Sequence, residues 1–392
     1  MNKYAKWMVA GMAVLGAAAP DAVLADAQRL GPPAGGTAYP AFAQNIALDD
    51  LTGTVAASSH LEQNAGTSNR GAVELFRRAD SGWNHVGTLK DPTADIFGWR
   101  LAAGDGWIAV GAAVSGTHVI DLFQNTGAGW VYRQRLVPSI PGVPAVHLGK
   151  ITLDGGNLLV GSSYFPGNMP GKTQVEAYRL VGETWQSEGV LETPYARWYL
   201  GRAMVLSGDS AVVTVEFPTL DQAPKFASFV RNQGQWQHVS SALAPAIDYP
   251  YVNHALAICG GNLFVSVRSV NVDGGNGLVQ RYTGSASAWT PSGNPLTSGD
   301  HYFGWGLGCS AGALGITAPG AQKAYRLAPG HGAELETLQT PEYTGRAFDD
   351  NQVVVHANDV IINDMWGLVP AVGYVGAAFA FLDDRLFRHG FD

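Results

Sequence analysis

Three short segments concentrate residue types that grip polar ligands. They read Tyr195-Ala196-Arg197-Trp198-Tyr199, Asp248-Tyr249-Pro250-Tyr251 and Asp300-His301-Tyr302. The rings offer flat apolar faces, and the adjoining Asp, Arg and His offer directional hydrogen bonds. Sugars present that mixture of C–H faces and hydroxyls. The competing reading is ordinary packing of Tyr and Pro in loops. A second set, Trp99, Lys150, Arg202, His254, Trp305 and Asn351, is spaced at similar intervals. Cations beside aromatic faces suit an anionic or carbohydrate ligand. Its bland counterpart is a row of solvated edge residues, with Trp99 and Trp305 in the core. For acid–base chemistry the candidates are His254, His301 and Asp300, which would serve a secreted polysaccharide-acting enzyme, hydrolase or lyase. The chain has no His-Glu-x-x-His, no Gly-x-Ser-x-Gly, no phosphate-binding Gly-Lys-Ser/Thr and no paired-Cys zinc spacing. No catalytic residue is assigned.

These residues need a scaffold, and the sequence supplies one as a repeat. Its clearest copy starts at Phe97-Gly98-Trp99-Arg100-Leu101 and turns at Gly104-Asp105-Gly106. It continues through Trp107–Ala112 and Val119–Phe123, then passes from Trp130 to Leu136. Short apolar runs between Gly-rich turns read as four strands. An aromatic closes the third strand at Phe76, Phe123, Tyr178, Phe229, Tyr282, Tyr325 and Phe381. A Trp opens the fourth at Trp83, Trp130, Trp185, Trp236 and Trp289. A four-stranded unit cannot bury both of its faces alone, so the copies must stack around an axis. The recurrent Trp and Phe/Tyr are then packing between blades, not a ligand ladder. The expected fold is all-β, a seven-bladed β-propeller of four-stranded antiparallel blades. Residues 42–392 make the ring, in copies at about 42–89, 90–136, 137–191, 192–243, 244–296, 297–338 and 339–392.

Phe97-Gly98 and Phe303-Gly304, with the weaker Leu148-Gly149 and Leu200-Gly201, resemble the FG element of the FG-GAP repeat proteins. Val110-Gly111-Ala112-Ala113 and Thr317-Ala318-Pro319 resemble the GAP element. The family is related to the propeller of integrin α subunits, and the resemblance implies seven blades and roles in cell adhesion or extracellular ligand binding. Calcium-binding members carry Asp-x-Asp-x-Asp-Gly in the turn before the GAP strand. Here those turns hold at most one Asp (Asp105, Asp154, Asp209). A hard cation needs more converging oxygens, so no metal and no cofactor are expected.

Composition bounds the rest. Fifty glycines, 10% aromatics and only 14% charged residues describe a turn-rich β protein. Asn2–Lys6 is a short basic stretch, Trp7–Ala19 is apolar, and Val23-Leu24-Ala25 offers small residues for cleavage after Ala25. Residues 1–25 are therefore expected to be a signal peptide, with export to the periplasm or beyond. Losing them removes two lysines and one aspartate, taking the formal charge from −8 to −9. An acidic chain without basic clusters argues against nucleic acid and anionic lipid. No later run is long enough for a transmembrane anchor. Residues 26–41 are a linker or a closing strand. Ala27-Gln28-Arg29-Leu30 could complete the last blade, and Arg385-Leu386-Phe387 could equally do so. Cys259 and Cys309 fall on adjacent blades and form either one disulfide or two buried thiols.

The leading expectation is an exported propeller that binds a glycan or protein surface through one end of its channel. An enzyme is the runner-up. A structural partner in an envelope complex is the third reading.

Overall fold

The computed structural model describes residues 27–31, 42–63, 70–143, 146–164, 171–194, 199–216, 225–243, 255–267, 276–328, 334–344, 353–364, 368–369, 373–374 and 376–382. Seven four-stranded antiparallel blades form a seven-bladed β-propeller. The first strand among the described residues, β1 (Ala27–Leu30), belongs to the last blade. Blade one is β2 (Ile46–Asp49), β3 (Thr54–Gln63), β4 (Arg70–Ala79) and β5 (Gly82–Leu89). Blade two is β6 (Ile96–Gly104), β7 (Trp107–Val114), β8 (Thr117–Asn125) and β9 (Trp130–Leu136). Blade three is β10 (His147–Asp154), β11 (Asn157–Tyr164), β12 (Lys172–Val181) and β13 (Thr184–Val190). Blade four is β14 (Tyr199–Ser207), β15 (Ser210–Glu216), β16 (Lys225–Asn232) and β17 (Gln235–Leu243). Blade five is β18 (Leu256–Cys259), β19 (Asn262–Val267), β20 (Leu278–Ser285) and β21 (Ala288–Pro291). Blade six is β22 (Leu307–Ser310), β23 (Ala313–Ala318), β24 (Lys323–Leu327) and β25 (Glu336–Leu338), with a 3-10 turn at Pro319–Ala321. Blade seven is β26 (Val353–His356), β27 (Asp359–Asp364) and β30 (Ala377–Phe381), completed by β1; a small hairpin, β28 (Leu368–Val369) and β29 (Gly373–Tyr374), lies within its connection.

The first strand of every blade is innermost. These strands pack in succession, β2 on β6, β10, β14, β18, β22 and β26, and β26 returns to β2. The second strands are the driest: Ile108, Ala109, Val110, Leu158, Leu159, Val160, Val212, Val213, Ile361 and Ile362 are fully buried. Their near-continuous apolar runs follow from burial on both faces.

Blades meet through the recurrent Trp. Trp185 of blade three packs edge-on against Trp107 of blade two, with centroids 5.7 Å apart at 90°. Trp83 of blade one meets His356 of blade seven in the same way at 5.5 Å, and its Nε1–H donates to Asp359 at 3.1 Å. A glutamine fastens the outer edges. Gln134 Nε2 donates to Trp185 O at 2.9 Å, and its Oε1 accepts Trp185 N–H at 2.8 Å. Gln28 on β1 repeats this clamp on Trp83 at 2.7 and 2.6 Å. The ring is thus closed by β1, which pairs antiparallel with β30 (Ala27↔Phe381 to Leu30↔Ala378). Arg385–Phe387, the other strand considered, lies outside the described residues. The seam gains an ion pair, Arg78 to Asp359 at 2.7 Å.

At the end opposite the loops entering each blade, turn aspartates link neighbours. Asp49 accepts Gly106 N–H at 3.0 Å, Asp105 accepts Gly156 N–H at 2.9 Å, and Asp154 accepts Gly208 N–H at 2.6 Å. A disulfide joins Cys259 on β18 to Cys309 on β22, with Cα atoms 5.5 Å apart, near the same end. No helix among the described residues is long and apolar enough to cross a membrane.

Candidate functional site

The site is built from one local device, a bulge where the innermost strand begins. In blade two, Phe97 pairs with Ala112 and Arg100 with Gly111, so Gly98 and Trp99 are extruded. In blade four, Leu200 pairs with Val215 and Met204 with Val213, extruding Gly201, Arg202 and Ala203 opposite Thr214. In blade six, Gly304 N–H and Trp305 N–H both donate to Thr317 O, at 3.0 and 3.1 Å. A bulge re-aims the side chain that it carries.

The residue types follow from that geometry. Phe97 and Phe303 are fully buried anchors. Gly98 has φ +93° and Gly304 φ +81°, where a side chain is strained. A Cβ on Gly98 would lie 3.1 Å from Ser58 Cβ, and one on Gly304 would lie 3.1 Å from Ser266 Cβ. The glycine therefore lets the bulge sit against the preceding blade. Hydroxyls on the second strands take the displaced N–H groups: Asn45 N–H to Ser58 at 3.0 Å, Ala203 to Thr214 at 3.0 Å, Ala255 to Ser266 at 2.7 Å and Gly306 to Thr317 at 2.8 Å.

Trp99, Arg202 and Trp305 occupy equivalent bulge positions. Trp99 is half-buried, and Asn45 Nδ2 donates to its carbonyl at 3.0 Å. The exposed Arg202 lays its guanidinium over the Tyr199 ring, 4.8 Å from the centroid. Lys150 departs from the expected ring. Blade three spans Leu148 to Ile151 where blade two spans Phe97 to Leu101, one residue fewer, so Lys150, counted back from Ile151, matches Arg100 and not Trp99. His254, Tyr195, Arg197, Trp198, Asp248, Tyr249, Tyr251 and Asn351 lie outside the described residues.

Blade six brings its candidates together. The His301 and Tyr302 rings are 4.3 Å apart, and Tyr302 meets Trp305 at 5.0 Å and 65°. All three are half-buried. Tyr302 holds φ +60°, and His301 bridges to Asn276. Gly320, in the 3-10 turn, backs the cluster, because a Cβ there would fall 2.7 Å from His301 Nδ1 and 2.8 Å from Tyr302. Asp300 holds the segment down. Its carboxylate accepts from Tyr325 OH and from Lys323 Nζ, the latter at 3.2 Å, and its carbonyl accepts Phe303 N–H at 3.2 Å. The partners Lys323 and Tyr325 were not singled out for this role from sequence; the signal was a lysine two residues before the recurrent third-strand aromatic. Among the described residues no group of three metal-ligating side chains occurs.

This arrangement offers a ridge of three rings and an anchored carboxylate at the channel end where the entering loops lie. No protein-family model and no curated protein matches the chain. Solved structures do. A protein from Lactobacillus plantarum is 14% identical with a TM-score of 0.52, over 75% of this chain and 83% of that one. A putative 6-phosphogluconolactonase from Bacteroides uniformis is 12% identical with a TM-score of 0.49, over 75% and 83%. The Penicillium chrysogenum α-L-arabinanase, complexed with arabinobiose, is 11% identical with a TM-score of 0.44, over 70% and 90%. At such identities the likeness is one of fold, and it is the β-propeller that this chain is similar to.

Proposed function

We propose that this chain is an exported binding module that takes an extracellular carbohydrate at the loop-bearing mouth of the propeller. The observation that carries the reading is the His301–Tyr302–Trp305 ridge, half-buried and braced from behind by Gly320. A rigid stack of rings at a fold's mouth is suited to the C–H face of a sugar. Asp300 positions it, since its carboxylate is already engaged by Lys323 and Tyr325. That engagement favours binding over acid–base catalysis by Asp300. The buried Phe and positive-φ Gly of the bulges support reading the repeat as FG-GAP, and adhesion to a glycan or protein surface is the role which that resemblance implies.

The test uses residues 26–392 on a panel of polysaccharides, measuring retained protein and released products together. The expected result is retention without product, weakened about tenfold or more in Trp305→Ala, the order of one lost aromatic contact. Product release would instead support the secreted polysaccharide-acting enzyme. Neither retention nor product would remove the carbohydrate reading.

A further inference from the structure

The blade-six ridge is tethered to two blades at once. His301 forms an antiparallel bridge with Asn276, in the segment that leads into β20 of blade five. Behind the ridge, a Cβ on Gly304 would lie 3.1 Å from both Ser266 Cβ and Val279 Cγ2, side chains of blade five. Trp305 N–H and the Asp300 carboxylate are instead bonded within blade six, to Thr317 O and to Lys323 and Tyr325. The three rings therefore keep their spacing only while the two blades keep theirs.

Apolar burial holds that boundary weakly on the blade-six side. β22 follows directly from the ridge, and its four residues are all half-buried, whereas every other innermost strand buries at least two. It packs on β18 of blade five, and the Cys259–Cys309 disulfide joins the two strands. The bond occupies a recurrent position. Asp49, Asp154 and Cys259 each make the last pair before the turn of an innermost strand, with Thr54, Asn157 and Asn262. Asp49 and Asp154 reach the next blade with a carboxylate, which accepts Gly106 or Gly208 N–H. In blade five a covalent bond makes that link, and the Gly260-Gly261 turn after it carries no carboxylate. Cys309 is four residues from Trp305, about 13 Å along an extended strand.

We propose that the Cys259–Cys309 disulfide is a redox-sensitive clamp on the ridge, so that the oxidised protein holds carbohydrate tightly and the reduced protein weakly. The clamp rests on the carbohydrate reading for its ligand but not for its mechanism. A dithiol reductant supplies the two electrons. Its thiolate attacks Cys309 Sγ, since Cys309 is half-buried and Cys259 only 4% exposed. The S–S bond breaks and releases the Cys259 thiolate, which takes up a proton. The second thiolate of the reductant then displaces Cys309, which is protonated in turn, and closes the reductant's own disulfide. With the bond open, β18 and β22 separate, and His301 parts from Tyr302 and Trp305.

The experiment compares residues 26–392 oxidised, reduced with dithiothreitol, and reoxidised, with alkylation and mass measurement reading the state of the bond. Hydrogen exchange is followed at residues 300–310 and at the equivalent residues 95–104 of blade two. The rise at 300–310 on reduction is expected to exceed that at 95–104 by about tenfold or more, as for a local opening freed of one tie. Retention on cellulose, xylan, chitin and galactan is read on the same samples. It is expected to fall about tenfold on reduction, an ordinary size for coupling between two sites, and to return on reoxidation. Cys259→Ser combined with Cys309→Ser should match the reduced protein and ignore the oxidant. Equal rises at both segments, no rise with the bond open, or undiminished retention by the reduced protein would overturn the clamp. No retention by the oxidised protein would remove the carbohydrate reading, and the exchange comparison would still decide the clamp. If the double variant fails to fold, reduction and reoxidation of the unmodified protein decide.

Discussion

Replacing Gln28 with alanine tests whether β1 closes the ring in solution. Its side chain satisfies both backbone groups of Trp83, accepting from N–H at 2.6 Å and donating to the carbonyl at 2.7 Å. Trp83 is 2% exposed, so water reaches those groups poorly once the amide is gone. Two lost bonds at about 1 kcal/mol each, rising toward the desolvation limit where the groups stay dry, give about 2–4 kcal/mol. Gln134 is the control. It makes the same two bonds to Trp185, at 2.9 and 2.8 Å, but its blade is continuous in sequence with the next one. Urea unfolding followed by Trp fluorescence should shift the midpoint similarly for Gln28→Ala and Gln134→Ala, with the slope unchanged. A silent Gln28→Ala beside a costly Gln134→Ala would refute closure by β1. A change in slope for Gln28→Ala alone would mean that the seam opens separately from the rest.

Gly201→Ala should destabilise by about 2 kcal/mol or more, because φ is +78° and a Cβ would lie 2.5 Å from Val175 Cγ2; thermal unfolding checks this. Removing both cysteines, which are 50 residues apart in sequence, should cost about 2–4 kcal/mol in urea, and reduction of the unmodified protein should reproduce the loss. Asp154 has its pKa raised, first by burial and then by Asp105 and Asp50, against bonds from Gly208 and Gly155. A raised folded value makes ionisation destabilising, so the native protein gains stability relative to Asp154→Asn as pH falls from 7 through the folded value toward the ordinary value of 3.8. Urea midpoints at pH 7 and pH 4 should show that gap closing or reversing. Arg326, 3% exposed, pairs with Glu336 at 2.7 Å and donates to Asn358 O of blade seven; because water can reach Glu336 once the guanidinium is gone, Arg326→Ala should cost about 1–3 kcal/mol, mainly through lost packing and the unsatisfied Asn358 carbonyl.

The blade was legible in sequence because its packing positions repeat their residue type. Trp83, Trp130, Trp185, Trp236 and Trp289 are separated by one blade each, and each opens or nearly opens an outer strand. The Phe-Gly pair was legible as a motif but not as a mechanism. Its glycine is needed for a positive φ within a bulge, and the bulge length is set by strand pairing, which differs in blade three. That is why Lys150 falls beside Arg100 in register. Contacts between blades were the least legible. His118 meets His147, and Gln134 clamps Trp185, across separations that no local pattern encodes. Asp300 was picked out as a possible acid, yet its Lys323 and Tyr325 partners come from a different strand of its blade.

The sharing of blade seven between β1 and the last strands has a consequence for the order of assembly. Six blades are each drawn from one contiguous stretch and can form from local pairings as the chain emerges. The seventh must wait for Phe381 before Ala27 finds its partner. Until then β30 presents an unpaired edge, a template for another chain. A released β1, or one held away by whatever precedes it, would leave an open-ended ring able to recruit the same strand from a second molecule. Concentration during refolding would then decide between closed monomers and strand-exchanged chains.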